Sequence, residues 1–361
     1  MHSPQLSSPK AAPPGGDKSS EKSFSSLKVI GAISATISLL LALNQVTGIV
    51  QKFRIHHKDF SETMKVGEQQ LQRADYQASF DSFKHAVELD PIDHQAQQQQ
   101  AQAGMLWLEN VHSAQLSFKE TADRVQPVLE RALTGVKGPQ AADLLAHIGW
   151  ANFLRVRDGA PQNLAIDETY KQALSLDAQN VYAHAMWGHW TLWNSGDVNA
   201  AREHFSQALA SGKVRPYVRT MQTSALLNSH HADDELLRVA DEMRRSNEPL
   251  SGDDRHRIFW ELFVTPLTDT QKLATTVKAV RPEDAEATYD WLSQGYESSE
   301  DAFVRQARRE YIVAFLAETA GNKTDALTRY RALKQELRKT TKASNYLTLQ
   351  AIVDSAIKRL S

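Results

Sequence analysis

An all-α array of antiparallel helix pairs, preceded by one membrane-spanning helix, is the architecture this sequence predicts. Three observations carry it. From about Phe60 onward, runs of roughly 12–20 residues place apolar groups at i, i+3 and i+4, with hardly any β-branched alternation. Breaks recur between those runs, at Asp90-Pro91, Lys137-Gly138-Pro139, Asp158-Gly159-Ala160-Pro161, Ser195-Gly196, Ser211-Gly212 and Gly321-Asn322. Helices joined by short turns at such intervals predict an internal repeat. Upstream of them, Val29 to Val50 carries no formal charge.

The totals agree. At 361 residues the chain exceeds one ordinary core, so two domains or an elongated repeat array is expected. Apolar residues make up 41% and charged residues 23%, a globular balance. The net charge of -2 supplies no nucleic-acid footprint, which needs a concentrated excess of Lys and Arg. With no cysteine in the chain, disulfides, thiolate catalysis, iron–sulfur clusters and Cys-based zinc sites are excluded together.

Residues 1–27 are rich in Ser and in Pro (Pro4, Pro9, Pro13, Pro14), with Gly15-Gly16 and little that is large and apolar. Such a segment cannot bury enough surface to offset its ordering entropy, so it is expected as a disordered tail. Residues 28–50 follow as the anchor. At about 1.5 Å per residue the uncharged run reaches roughly 33 Å, enough to cross a hydrocarbon core. A cleaved signal peptide is the rival, but the leader is long and no clean Ala-x-Ala site follows Leu43. Lys18, Lys22 and Lys28 precede the span, while Lys52, Arg54, Lys58 and Lys65 follow it. The positive-inside tendency therefore leans slightly towards a cytoplasmic C-terminal domain.

Within residues 60–361 four stretches share a pattern. "ADYQASFDSFKHAVELDP" (Ala74 to Pro91) carries Tyr76, Phe83, Ala86 and Pro91, with Gly67 in the helix before it. "ETYKQALSLDAQN" repeats it through Tyr170 and Ala173, and "SGDVNAAREHFSQAL" through Ala201, Phe205 and Ala208, after Gly188. "AGNKTDALTRYRAL" does so with Gly321, Ala326, Tyr330 and Leu333, after Ala314. These stretches resemble the tetratricopeptide repeat, with the clearest repeats at 60–91, 142–178, 181–211 and 307–339. The physics behind the letters is packing: small residues let two helices approach, an aromatic fills the gap to the next pair, and neighbours must stack to bury their apolar faces. Residues 92–138 and 212–300 depart from the pattern. An anchor followed by such repeats also resembles a type of bacterial envelope protein, which implies an inner-membrane location.

The resemblance implies an α-solenoid whose first helices line a concave groove, and a function as a scaffold or adaptor that holds a partner protein or peptide. Phasing on Gly149 and Gly188 puts Trp150, Phe153, Tyr182, His189, Trp193, Tyr311 and Phe315 on that lining. Aromatic anchors are what peptide grooves use for affinity. The lysine/asparagine clamp of chaperone-binding relatives is not matched, because Met64 and Glu68 hold the corresponding positions. Two alternatives stay open: a regulatory sensor of a small molecule or peptide, and an enzyme whose site lies in 212–300.

No catalytic, cofactor or metal residues are expected. Neither GxGxxG, GxxxxGK[ST] nor GxSxG is present. "SHHADDE" (Ser229 to Glu235) packs His230 and His231 beside three acids, yet adjacent histidines on a helix point about 100° apart. Asp233 and Asp234 suit instead the first turn of a helix, complementing its dipole. His184 and His189 do not share a helix face well, and Asp253-Asp254 read as capping residues before a helical run.

Overall fold

The structure, a computed structural model, describes residues 57–111, 117–161, 165–229, 231–294, 302–339 and 344–361. The expected tail and anchor, residues 1–50, lie outside the described residues. Among the described residues there is no strand, and no helix is long and apolar enough to cross a membrane. The chain divides into two compact units after Gln99.

The first unit holds the opening helix pair, α1 (residues 57–72) and α2 (Tyr76–Leu89), and the start of α3 (His94–Glu109). Asp75 caps α2 by accepting from the Ala78 amide at 3.3 Å, and the Asp90 amide closes its end on the Ala86 carbonyl. Pro91 then forbids continuation, since it has no amide to donate. Between the two helices the rule is one small residue for one ring. A Cβ on Gly67 would stand 2.8 Å from the Phe83 ring, closer than carbon atoms approach. Ser79 adds a hydrogen bond from its hydroxyl to the Gly67 carbonyl at 2.9 Å.

The second unit continues the alternation through α4 (Phe118–Leu133), α5 (Gly138–Arg157), α6 (Ile166–Leu176), α7 (Val181–Ser195), α8 (Val198–Ala210), α9 (Arg215–Ser229) and α10 (Asp233–Arg245). There follow α11 (Gly252–Phe263), a 3-10 turn (Thr265–Thr268), α12 (Thr270–Val277), α13 (Pro282–Ser293), α14 (Ala302–Thr319), α15 (Lys323–Lys339) and α16 (Ser344–Leu360). The device of the first pair recurs. A Cβ on Gly149 would meet the Tyr170 ring at 2.8 Å, and one on Gly188 would meet Phe205 at 3.1 Å. Ala314 and Tyr330 are likewise fully buried in the α14/α15 pair. Phe83, Tyr170 and Phe205 thus press on the small residue of their own pair, and Tyr170 also stacks on Trp187 of the next pair at 6.1 Å.

Two layers result. The odd-numbered helices α5, α7 and α9 lie side by side, each touching the next, while α6 and α8 back α5 and α7. Within the second unit, residues 100–138, which lie in a segment that departs from the repeat pattern, nevertheless join these layers: Trp150 on α5 donates to the Leu108 carbonyl of α3 at 3.1 Å, and the Arg124 guanidinium of α4 sits over Trp107 of α3. In 212–300, α9 and α10 pair, α11 packs on α9, and the short α12 and α13 cover α10. Asp233, Asp234 and Glu235 do open α10. At α11 the cap differs from expectation. Ser251 accepts the Asp254 amide at 3.0 Å, which moves Asp253 and Asp254 into the first turn, where their charge meets the helix dipole.

Candidate functional site

The face presented by consecutive first-layer helices is where a partner groove was expected, and aromatic residues do concentrate there. Trp150, Phe153, His189 and Trp193 come together between α5 and α7. Ring centroids lie 4.7 Å apart for Trp150–Phe153, 5.1 Å for Trp150–His189 and 5.6 Å for Phe153–Trp193. Their burial, however, is that of a core. Trp150 is 5% exposed, His189 3% and Phe153 fully covered. Tyr311 and Phe315 on α14 are buried in the same way, Tyr311 against Tyr330 and Phe315 against Tyr311. The groove assignment of Trp150, Phe153, His189, Tyr311 and Phe315 is therefore corrected: they pack inside the molecule. Neighbouring first helices approach closely enough for their own rings to fill the space between them.

His189 shows how dry that interior is. Its Nδ1 is buried without a hydrogen-bond partner. Burial, with the Arg157 guanidinium acting in the same direction, pushes the imidazole from 6.5 down to about 4, so it is neutral in the folded protein. The unfolded chain can take up a proton near pH 6.5 that the folded chain refuses until about pH 4. Stability is thus fully present above the unfolded value and falls as pH drops from there towards the folded one. The expected loss between pH 7 and pH 5 from this one ring is about 2 kcal/mol. His189→Leu should shrink the fall by that amount, as urea unfolding at the two pH values will show; an unchanged slope rejects the assignment.

The other two expected lining residues reach further out. Tyr182 is half-buried between His147 (4.9 Å) and Tyr217 (5.4 Å). Burial, with Glu109 and Asp143 nearby, pushes its hydroxyl up to about 12, so it stays protonated. Beneath it, His147 is clamped between the Asp143 carbonyl at 2.7 Å and the Glu109 carboxylate at 2.8 Å, which ties α5 to α3. Trp193 is 40% exposed at the edge of the aromatic cluster. Of the three tryptophans on α7, Trp187 and Trp190 both donate to Asp167 Oδ1 of α6, leaving Trp193 without that tether.

One aromatic absent from the expected lining is Trp260 on α11, 45% exposed. It borders a shallow cleft of about 380 Å³ with Leu227 of α9 and His256, Arg257 and Glu261 of its own helix. "RIFWELF" (Arg257 to Phe263) carried the signal: Ile258, Phe259, Leu262 and Phe263 face the core, and a tryptophan between those positions has to point elsewhere. A second cleft, of about 530 Å³, lies between α8, α9 and α10, and its arginines are paired. Arg202 binds Glu235 in a two-pronged contact at 2.7 Å, and Arg219 reaches Glu242 at 2.6 Å and Glu248 at 3.0 Å.

No family model matches the sequence, and no curated protein matches it. Among solved structures the chain is similar to the TPR domain of P58(IPK), at 13% identity over 83% of this chain and 99% of that one. The TM-score is 0.24, a superposition too loose to bear on function. The helix-pair reading rests on this chain's own packing.

Proposed function

We propose that this chain is a non-catalytic interaction scaffold, held at a membrane by Val29–Val50, that receives a partner protein or peptide on its first-layer helices. The observation that carries the reading is the exposure of Trp193 and Trp260, 40% and 45%, on α7 and α11, where the other aromatics (Phe, Tyr and Trp) among the described residues are buried or half-buried. A monomer gains nothing by leaving indole surface in water, whereas partly exposed Trp beside Arg is the composition of interface anchors. The bordering cleft at Trp260 is shallow and open on apolar Leu227, which suits a side chain of a protein partner.

A photo-crosslinking residue in place of Trp260 or Trp193, in full-length protein in membranes, should trap a partner. The same residue at the exposed Gln207 of the second-layer helix α8 should not. Trp260→Ala should weaken capture by about 2 kcal/mol, near thirtyfold, while leaving the helical signal intact. Equal trapping at all three positions would remove the surface from the proposal. The anchor is tested separately: release of the full-length protein by alkaline carbonate contradicts it. The charge balance around the span favours the repeats on the cytoplasmic side of a bacterial inner membrane.

A further inference from the structure

We propose that His184 and His204 form a two-histidine chelate for a divalent first-row transition ion of the zinc type. The argument begins with Gly188. On α7, His184 and Gly188 are one turn apart and face α8. Lacking a Cβ, Gly188 lets α8 approach until Ala201, His204 and Phe205 all lie within 3.2 Å of where that Cβ would stand. The same closeness brings two imidazoles from separate helices nitrogen to nitrogen, with His184 Nδ1 at 3.3 Å from His204 Nδ1.

That separation is informative. Two nitrogens bound at about 2.0–2.1 Å to one tetrahedral ion stand about 3.3–3.4 Å apart. A hydrogen bond from a ring N–H settles nearer about 2.9–3.0 Å. The tautomer points the same way. His184 Nε2 lies 3.1 Å from the Ala178 carbonyl, which can only accept, so Nε2 carries the hydrogen and Nδ1 keeps its lone pair. A ligating histidine is ordinarily fixed in this way, by donating its other N–H to a carbonyl. Trp187 covers one side of His204 at 4.4 Å; His204 is half-buried and His184 is buried, so any access to the pair is from the His204 side.

The surroundings favour a cation. The acidic groups acting on the rings are Asp177, Glu203 and Asp167, while on His204 the neighbouring His184 acts in the opposite sense. Burial lowers both imidazoles below their ordinary value, which favours the neutral form. Among the described residues no group of three or more His, Cys, Asp or Glu side chains is placed to hold an ion. The chelate therefore supplies two donors, and water or a partner's donor takes the remaining positions. An ion there would bridge α7 to α8 and bind the folded state alone.

The test uses the full-length protein, stripped with chelator and titrated with zinc ion at pH 7 by calorimetry and by thermal melting. The chain has 13 histidines, so the comparison is between variants. Wild type should show a saturable site, and His204→Asn and His184→Asn should each weaken it at least about tenfold. His85→Asn, at an exposed position on α2, should leave it unchanged. Zinc should raise the melting temperature of wild type and not of His204→Asn. Should His184→Asn fail to fold, the half-exposed His204→Asn decides alone. Zinc binding that survives His204→Asn, or a wild type without a saturable site, overturns the proposal and leaves an ordinary imidazole pair.

Discussion

Trp150→Ala and Phe153→Ala are each expected to destabilise the second unit by about 3–5 kcal/mol, the range for removing a buried ring. The cost has two parts, the lost transfer of the ring from water and the cavity left among neighbours that cannot close. Here the neighbours are rings on the adjacent helix, His189, Trp190 and Trp193, within 5.1–6.0 Å of one or other of these side chains. Trp150 carries an added debt, because its indole N–H is the partner of the Leu108 carbonyl. Phe83→Ala, in the first unit, is the reference for a core ring. Chemical denaturation of the three variants checks the claim. If Trp150→Ala loses less than about 1 kcal/mol while partner capture is abolished, the open-groove reading of this face is restored.

Arg219→Ala should cost a comparable amount, about 3–5 kcal/mol, because it strands a buried charge. The guanidinium is 2% exposed and holds Glu242, Glu248 and, at 2.8 Å, Gln222. Glu248 is 9% exposed and keeps only Arg215 when Arg219 is removed. Burial alone would raise the Glu248 carboxyl. Hydrogen bonds from Arg219 and Arg215 more than offset this, and its pKa lies below the ordinary 4.5. A carboxyl depressed in the folded state contributes stability above its unfolded value and loses it as pH falls through the folded one. The Arg219→Ala penalty should accordingly be largest above about pH 4.5 and shrink in stronger acid. Replacing Arg219 and Glu248 together by Leu should recover much of the loss, since the desolvation of both charges is then avoided. A double variant no better than Arg219→Ala would show that packing, rather than charge, is what the arginine supplies. The exposed pair Lys84–Glu88, at 58% each, provides the contrast, with Lys84→Ala expected within about 0.5 kcal/mol.

Local chemistry was legible in the residue order. Proline and an Asp cap end α2 after Leu89 because those residues act on their own backbone. The acids of Asp233-Asp234 open α10 because a helix dipole is felt within one turn. Gly67, Gly149 and Gly188 could be assigned to helix–helix contact because a missing Cβ has one geometric use at a buried helical position. Helical phase also placed the aromatics of α5 and α7 on one side of their helices.

What phase cannot specify is what lies opposite that side. A rotation about one helix axis says nothing of how closely the next helix approaches, and that distance separates a groove from a core. Trp150, Phe153 and His189 were assigned to an open groove and are instead buried for this reason. Trp193 and Trp260 emerge where the packing of their layers leaves room. Contacts across long separations were equally hidden: His184 meets His204 over 20 residues, and Arg219 meets Glu248 over 29. Each depends on the rotation and spacing of two helices at once. The sequence by itself determined helices, the end of α2, the start of α10 and the small-residue contacts within pairs. The tertiary structure alone decided which rings are dry, which charges are buried and which histidines touch, because those depend on the distance between elements and not on the conformation of any one of them.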